Sequence, residues 1–136
     1  MRMVYAETAA FPNYELYGLT SQMRRASIGI LSSIAEGEGR LTPGEWRHML
    51  SQARGSLFEV EAQAIAAHDL GYLDEERLAK LERQIRRVGK ALIGFIRFVQ
   101  SKEATPPRNP ATSKPRNLTE GAPALPQNRR ALPPET

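Results

Sequence analysis

EERLAKLERQIRRVGKALIGFIRFVQSK, residues 75–102, decides the fold. Its apolar residues Leu78, Leu81, Ile85, Val88, Leu92, Phe95 and Val99 alternate steps of three and four without a break. That spacing lays them along one stripe of a helix and is the seam of a helical bundle. A strand would show the two-residue alternation instead. Asp74 stands just before the pattern, where a short side-chain oxygen can accept an orphan backbone N–H as an N-cap.

The segment upstream reads as a second long helix. Thr42-Pro43-Gly44-Glu45 offers a capping threonine, a proline suited to the first helical position and a glutamate able to reach back and complete a capping box. Trp46, Leu50, Ala53, Leu57, Val60, Ala64 and Ala67 form its seam, and Gly71 is placed to stop it. The turn into residue 75 is so short that the two helices must lie antiparallel. An earlier helix is predicted over about Leu16 to Glu36, with Leu19, Met23, Ala26, Ile30 and Ser33 along its seam. Gly37-Glu38-Gly39 is expected to break the chain before Thr42. Before Pro12 only MRMVYAETAAF remains, a stub of two or three turns. Phe58, Ala62 and Ile65 make a second apolar stripe, and Ile93, Ile96 and Phe98 broaden another. Packing against the first helix and a subunit interface both account for them.

Composition divides the chain at Ala104. Residues 104–136 hold eight of the ten prolines and few apolar residues, so this basic tail is expected to be disordered, and residues 1–103 to form one helical domain. The tail carries five cations against two anions, whereas residues 1–103 carry 14 against 13. The folded part is therefore close to neutral, and only its charge distribution can argue for a polyanionic partner. There is no cysteine, which excludes disulfides, thiolate metal sites and cysteine nucleophiles. No signal-peptide core and no apolar run of about 20 residues is present, so a soluble cytoplasmic protein without a membrane span is expected.

Several segments together carry a resemblance: FPNYELYGLTSQMRR (Phe11–Arg25), SSIAEGEGR (Ser32–Arg40), ARGSLFEVEAQ (Ala53–Gln63) and LGYL (Leu70–Leu73). In their order the chain resembles the four-helix-bundle proteins encoded in intervening sequences of bacterial large-subunit ribosomal RNA genes. It is also similar to the accessory proteins of diversity-generating retroelements, which bind a reverse transcriptase and nucleic acid. The resemblance covers about Phe11 to Val99. It implies an all-α, antiparallel up-and-down four-helix bundle, often a homopentamer, with no established enzymatic activity. Two departures stand out. Family members usually have a full first helix, whereas only its last turns are present here. Either the true start lies upstream of Met1 or a truncated first helix leaves a groove that partner subunits cover. Leu31 replaces the family's proline and Ser33 its asparagine, and loss of the proline should straighten the helix.

Catalytic chemistry finds little support. Glu45 and His48 have the Glu-x-x-His spacing of carboxylate-bridged metal sites, but His68 has Ile65 at the matching position, so no second copy exists. Glu36 and Glu38 sit in an expected solvated turn, and Glu59 and Glu61 fall on different helical faces. Gly37 and Gly39 lack the strand and GK[ST] of a phosphate loop. Neither enzyme, metal nor cofactor is expected. The basic residues are the better feature. Lys80, Arg83, Arg86, Arg87, Lys90 and Arg97 lie outward of the seam of the last helix, and Arg24 and Arg25 could extend the surface. Such a strip could follow RNA or DNA phosphates, contacting backbone rather than reading bases, since no aromatic platform lies among them. The plainer account is a solvated helix face. A scaffold offering an apolar groove to a protein partner is the alternative function.

Overall fold

Every regular element among the described residues is helical. The computed structural model describes residues 1–39 and 42–104; the tail expected to be disordered lies, apart from Ala104, outside them. Helix α1 spans Arg2–Thr8, α2 Leu19–Glu38, α3 Pro43–Asp69 and α4 Glu75–Glu103, with a single 3-10 turn at Asn13–Glu15.

The two long C-terminal helices follow their seams. Leu50, Ala53, Leu57, Val60, Ala64 and Ala67 of α3 are buried, as are Leu81, Ile85, Leu92 and Val99 of α4. Their ends are capped by the expected chemistry. Asp74 accepts the Arg77 N–H at 2.8 Å. Thr42 Oγ1 accepts the Glu45 N–H at 3.2 Å, and the Glu45 carboxylate accepts a hydrogen bond from the Thr42 hydroxyl at 3.1 Å, where the expected capping box would use the Thr42 backbone N–H. Gly71 has φ +79°, and the Tyr72 and Gly71 N–H groups return to the carbonyls of Ala67 and His68. This pair of hydrogen bonds requires a left-handed residue, which favours glycine at that position.

Helix α2 departs from expectation at both ends. It begins at Leu19 rather than Leu16, because Glu15 Oε2 accepts the Leu19 N–H at 2.9 Å from the preceding 3-10 turn. A side chain four residues upstream thus does the work of an N-cap. The helix also runs through Gly37 and Glu38, where a break was expected. Gly37 is buried, and a Cβ there would come within 2.6 Å of Trp46 Cδ1. Its lack of a side chain serves helix packing, and the chain leaves the helix only at Gly39.

Contacts between ends show alternating helix directions. Thr8 at the end of α1 meets Arg24 near the start of α2, Gly37 meets Trp46, and Arg47 meets Glu103. Helix α1 packs mainly on α2 and α4, and its Val4 shares a cavity wall with Leu57 and Val60 of α3. The Phe58 and Ile65 stripe of α3 is not part of that contact; both side chains are exposed. Ile96, by contrast, joins the core. Because α1 has only two turns, it fills the space between α2 and α4 over part of their length. Beyond it a groove continues, lined by Ile34, Val88, Ala91 and Phe95 with Leu50 and Leu92 also on its wall. Val88 also lines the cavity beside Met1, so groove and α1 follow one line.

One polar cluster fixes the turn ends. Tyr72 Oη hydrogen-bonds the Tyr14 hydroxyl and Glu15 Oε1, 3.2 Å from each, and its ring packs on Phe11 at 5.5 Å between centroids. The hydrogen bond to Tyr14, partial desolvation and the adjacent carboxylate hold the Tyr72 phenol well above the ordinary tyrosine value. A raised folded-state pKa gives stability that is complete below about pH 10 and lost as pH rises further. The melting-temperature advantage of the parent over Tyr72→Phe is accordingly expected to shrink as pH rises above about 10. Thermal melts at pH 8 and above test this; a difference constant with pH would contradict it.

Candidate nucleic-acid interface

At 100° per residue, Lys80, Arg83, Arg86, Arg87, Lys90 and Arg97 fall within an arc of roughly 120° on α4. That arc lies opposite the buried seam, and all six side chains are exposed. Their outward direction follows from the helix period alone: once Leu81, Ile85 and Leu92 face the core, residues on the opposite side of the helix must face water. From Arg83 to Arg97 the strip is about 21 Å long.

Its charges are mostly uncommitted. Lys80 pairs with Glu76 at 3.2 Å, one helical turn away. Among the described residues, Arg83, Arg86, Arg87, Lys90 and Arg97 have no ion-pair partner. Glu82, the one acidic residue between Lys80 and Arg97, is half-buried and lies outside the arc. Parallel unneutralised cations on a rigid helix form a field for an anionic chain, attenuated by salt over about 10 Å.

The two arginines of α2 do not join this strip. Arg24 is half-buried; its Nε donates to Thr8 Oγ1 at 2.9 Å and its guanidinium sits 4.8 Å from the centre of the Tyr5 ring. The Thr8 hydroxyl in turn donates a hydrogen bond to the Val4 carbonyl at 2.7 Å. Arg24 thus fastens α1 to α2 through a hydroxyl and a ring rather than a carboxylate. Arg25 is exposed and opens onto a cleft between α2 and α3, about 410 Å³ in volume, shared with Gln22, Ser56, Glu59 and Gln63.

Other arginines act structurally in ways sequence reasoning missed. Arg47 Nε donates to Glu103 Oε2 at 2.9 Å, tying the start of α3 to the end of α4. Arg77 lies 3.7 Å from Glu7, joining α4 to α1, and 3.9 Å from Asp74. The guanidinium of Arg54 covers the exposed Phe58 ring at 5.2 Å. The Arg54–Phe58 and Asp74–Arg77 pairs carried a signal, their i,i+4 and i,i+3 spacings; Arg47–Glu103 and Arg77–Glu7 depend on how the helices pair.

Among the described residues no group of three or more histidines and carboxylates could hold a metal ion. Glu45 is engaged at the α3 N-terminus, and His48 Nε2 lies 3.2 Å from Gln52. No described helix is long and apolar enough to cross a membrane.

The described residues form a bundle of antiparallel helices with a cationic strip on the outer face of α4 and an apolar groove. The chain belongs to the 23S rRNA-intervening sequence protein family, whose sequence profile matches residues 1–94. Comparison with curated proteins returns no match.

Proposed function

We propose that this protein is a non-catalytic, cytoplasmic, oligomeric bundle that binds RNA or DNA by its phosphate backbone through α4. The observation carrying this reading is the run of five exposed cations without ion-pair partners among the described residues, all on one face. Each phosphate neutralised by such a side chain releases counterions, so the affinity depends strongly on salt. Repetition of the strip around an assembly of several copies multiplies weak contacts into avidity. Backbone contact needs no stacking surface, and the exposed Phe98 ring at the edge of the arc, beside Arg97, is covered by Lys102.

The test is the mobility of labelled large-subunit ribosomal RNA fragments with the protein at low and high salt. Retention near 50 mM salt that disappears near 200 mM is the expected result, because several phosphate contacts weaken binding by orders of magnitude over that range. No retention at either concentration would refute the reading.

The groove favours a second reading, a scaffold that accepts the apolar face of an amphipathic helix. Its lining of Ile34, Val88, Ala91, Leu92 and Phe95 is nearly all hydrocarbon and continues the line of α1. Salt-insensitive binding of such a helical peptide, with no shift of RNA, would favour the scaffold.

A further inference from the structure

Glycine inside a helix is unfavourable relative to alanine, so each one invites a local reason. Some in this chain have one within the bundle. A Cβ on Gly29 would meet Ser56 Oγ at 3.2 Å and one on Gly37 would strike Trp46, whereas one on Gly89 would make only an ordinary contact with Leu57 at 3.5 Å. Gly44 lies against the Glu103 carboxylate. Gly55 and Gly94 differ: a Cβ on either would meet no atom within 4 Å.

The surroundings of these two are unlike. Three and four positions from Gly55 stand Ser51, Gln52, Phe58 and Glu59, with no cation among them. Gly94 lies on the cationic arc of α4, four residues after Lys90 and three before Arg97. Both neighbours are exposed and, among the described residues, have no ion-pair partner. They flank the glycine by about 6 Å and 4.5 Å along the helix axis. The result is a shallow notch in the helix surface between two free positive charges.

We infer that Gly94 is the seat of the nucleic-acid backbone: a phosphodiester strand crosses α4 there, with Lys90 and Arg97 closing on it from either side. The inference rests on the proposed backbone binding and deepens it by naming where the strand approaches most closely. Without a Cβ the strand lies against the helix main chain, and the flanking ammonium and guanidinium reach its oxygens at hydrogen-bonding distance. A methyl group at this point holds the strand away and lengthens both contacts, and charge-assisted hydrogen bonds are sensitive to that geometry. The helix propensity forgone at Gly94 is then matched by a binding function, whereas the one cation beside Gly55, Arg54, is laid over the Phe58 ring.

The experiment measures RNA retention, melting temperature and assembled mass for the full chain and for Gly94→Ala, Gly94→Leu, Gly55→Ala and the double variant Arg83→Glu with Arg87→Glu. The probe is one labelled large-subunit ribosomal RNA fragment at low salt. Gly94→Ala is expected to melt about 4 °C higher, through helix propensity, while its RNA affinity falls about tenfold. Gly94→Leu binds more weakly still, and Gly55→Ala gains stability with unchanged affinity. Parental affinity in both Gly94 variants, with weakened binding in the double arginine variant, would overturn the seat and leave the strip standing. Absence of RNA binding by the parent would overturn strip and seat together. A changed assembled mass in Gly94→Leu, with RNA affinity per assembly intact, would make the glycine a crossing point between copies and overturn the inference as well.

Discussion

Arg83→Glu combined with Arg87→Glu is expected to lower RNA affinity about a hundredfold at low salt while leaving helicity unchanged. The two arginines stand one turn apart on the arc, exposed and without ion-pair partners among the described residues. Replacing both leaves two phosphates unneutralised and sets two negative charges against the strand. The logarithmic salt dependence should also become shallower, by roughly 0.7 to 0.9 for each phosphate that is no longer neutralised. The fold has little reason to respond. Two glutamates four residues apart repel by only about 0.2–0.5 kcal/mol, and each would stand three residues before a cation, Arg86 or Lys90. Mobility shifts across a salt series, beside far-UV circular dichroism, make the check. Unchanged RNA retention would reduce the strip to a solvated helix face.

The strip was legible in the sequence because it requires only the helix period. Once Leu81, Ile85 and Leu92 are assigned inward, the directions of Arg83, Arg87 and Lys90 follow without knowledge of any other helix. The caps at Thr42 and Asp74 were legible for a similar reason, each being settled within three residues. What escaped depended on distant parts of the chain. Gly37 reads as a helix end until Trp46 is placed against it, and the late start of α2 depends on a carboxylate reaching in from the 3-10 turn. Arg24 resembles the other arginines in composition, yet α1 brings Thr8 and Tyr5 to it and commits it to packing. Residue type alone could not separate the five uncommitted cations of α4 from Arg24, Arg47 and Arg77. The separation follows from which helix each one meets.

Ile85→Asp is expected to abolish the cooperative thermal transition. Ile85 is 6% exposed and lines the interior with Val4, Leu57, Val60 and Leu81, where α1, α3 and α4 come together. Truncating a buried isoleucine costs about 2–5 kcal/mol through lost transfer energy and an unfilled cavity. The carboxylate adds a desolvation cost with no cation placed to meet it. A domain of this size has about 5–15 kcal/mol in total, so the combined cost reaches its whole stability. Ile85→Val, losing one methylene, should cost about 1 kcal/mol and retain a sharp transition. The pH dependence separates charge from volume. Burial would raise the carboxyl pKa above its unfolded value of about 3.9, so the charge penalty grows as pH rises above that value and fades as pH falls toward it. Ile85→Asn carries a comparable polar volume without titrating, and its stability relative to Ile85→Asp should therefore fall as pH is lowered toward about 4. A parental melt in Ile85→Asp would mean that this stripe does not face the core. The opposite face, with Arg83, Arg87 and Gly94, would then lose its outward assignment too, because core packing and the proposed binding face depend on the same rotation of one helix.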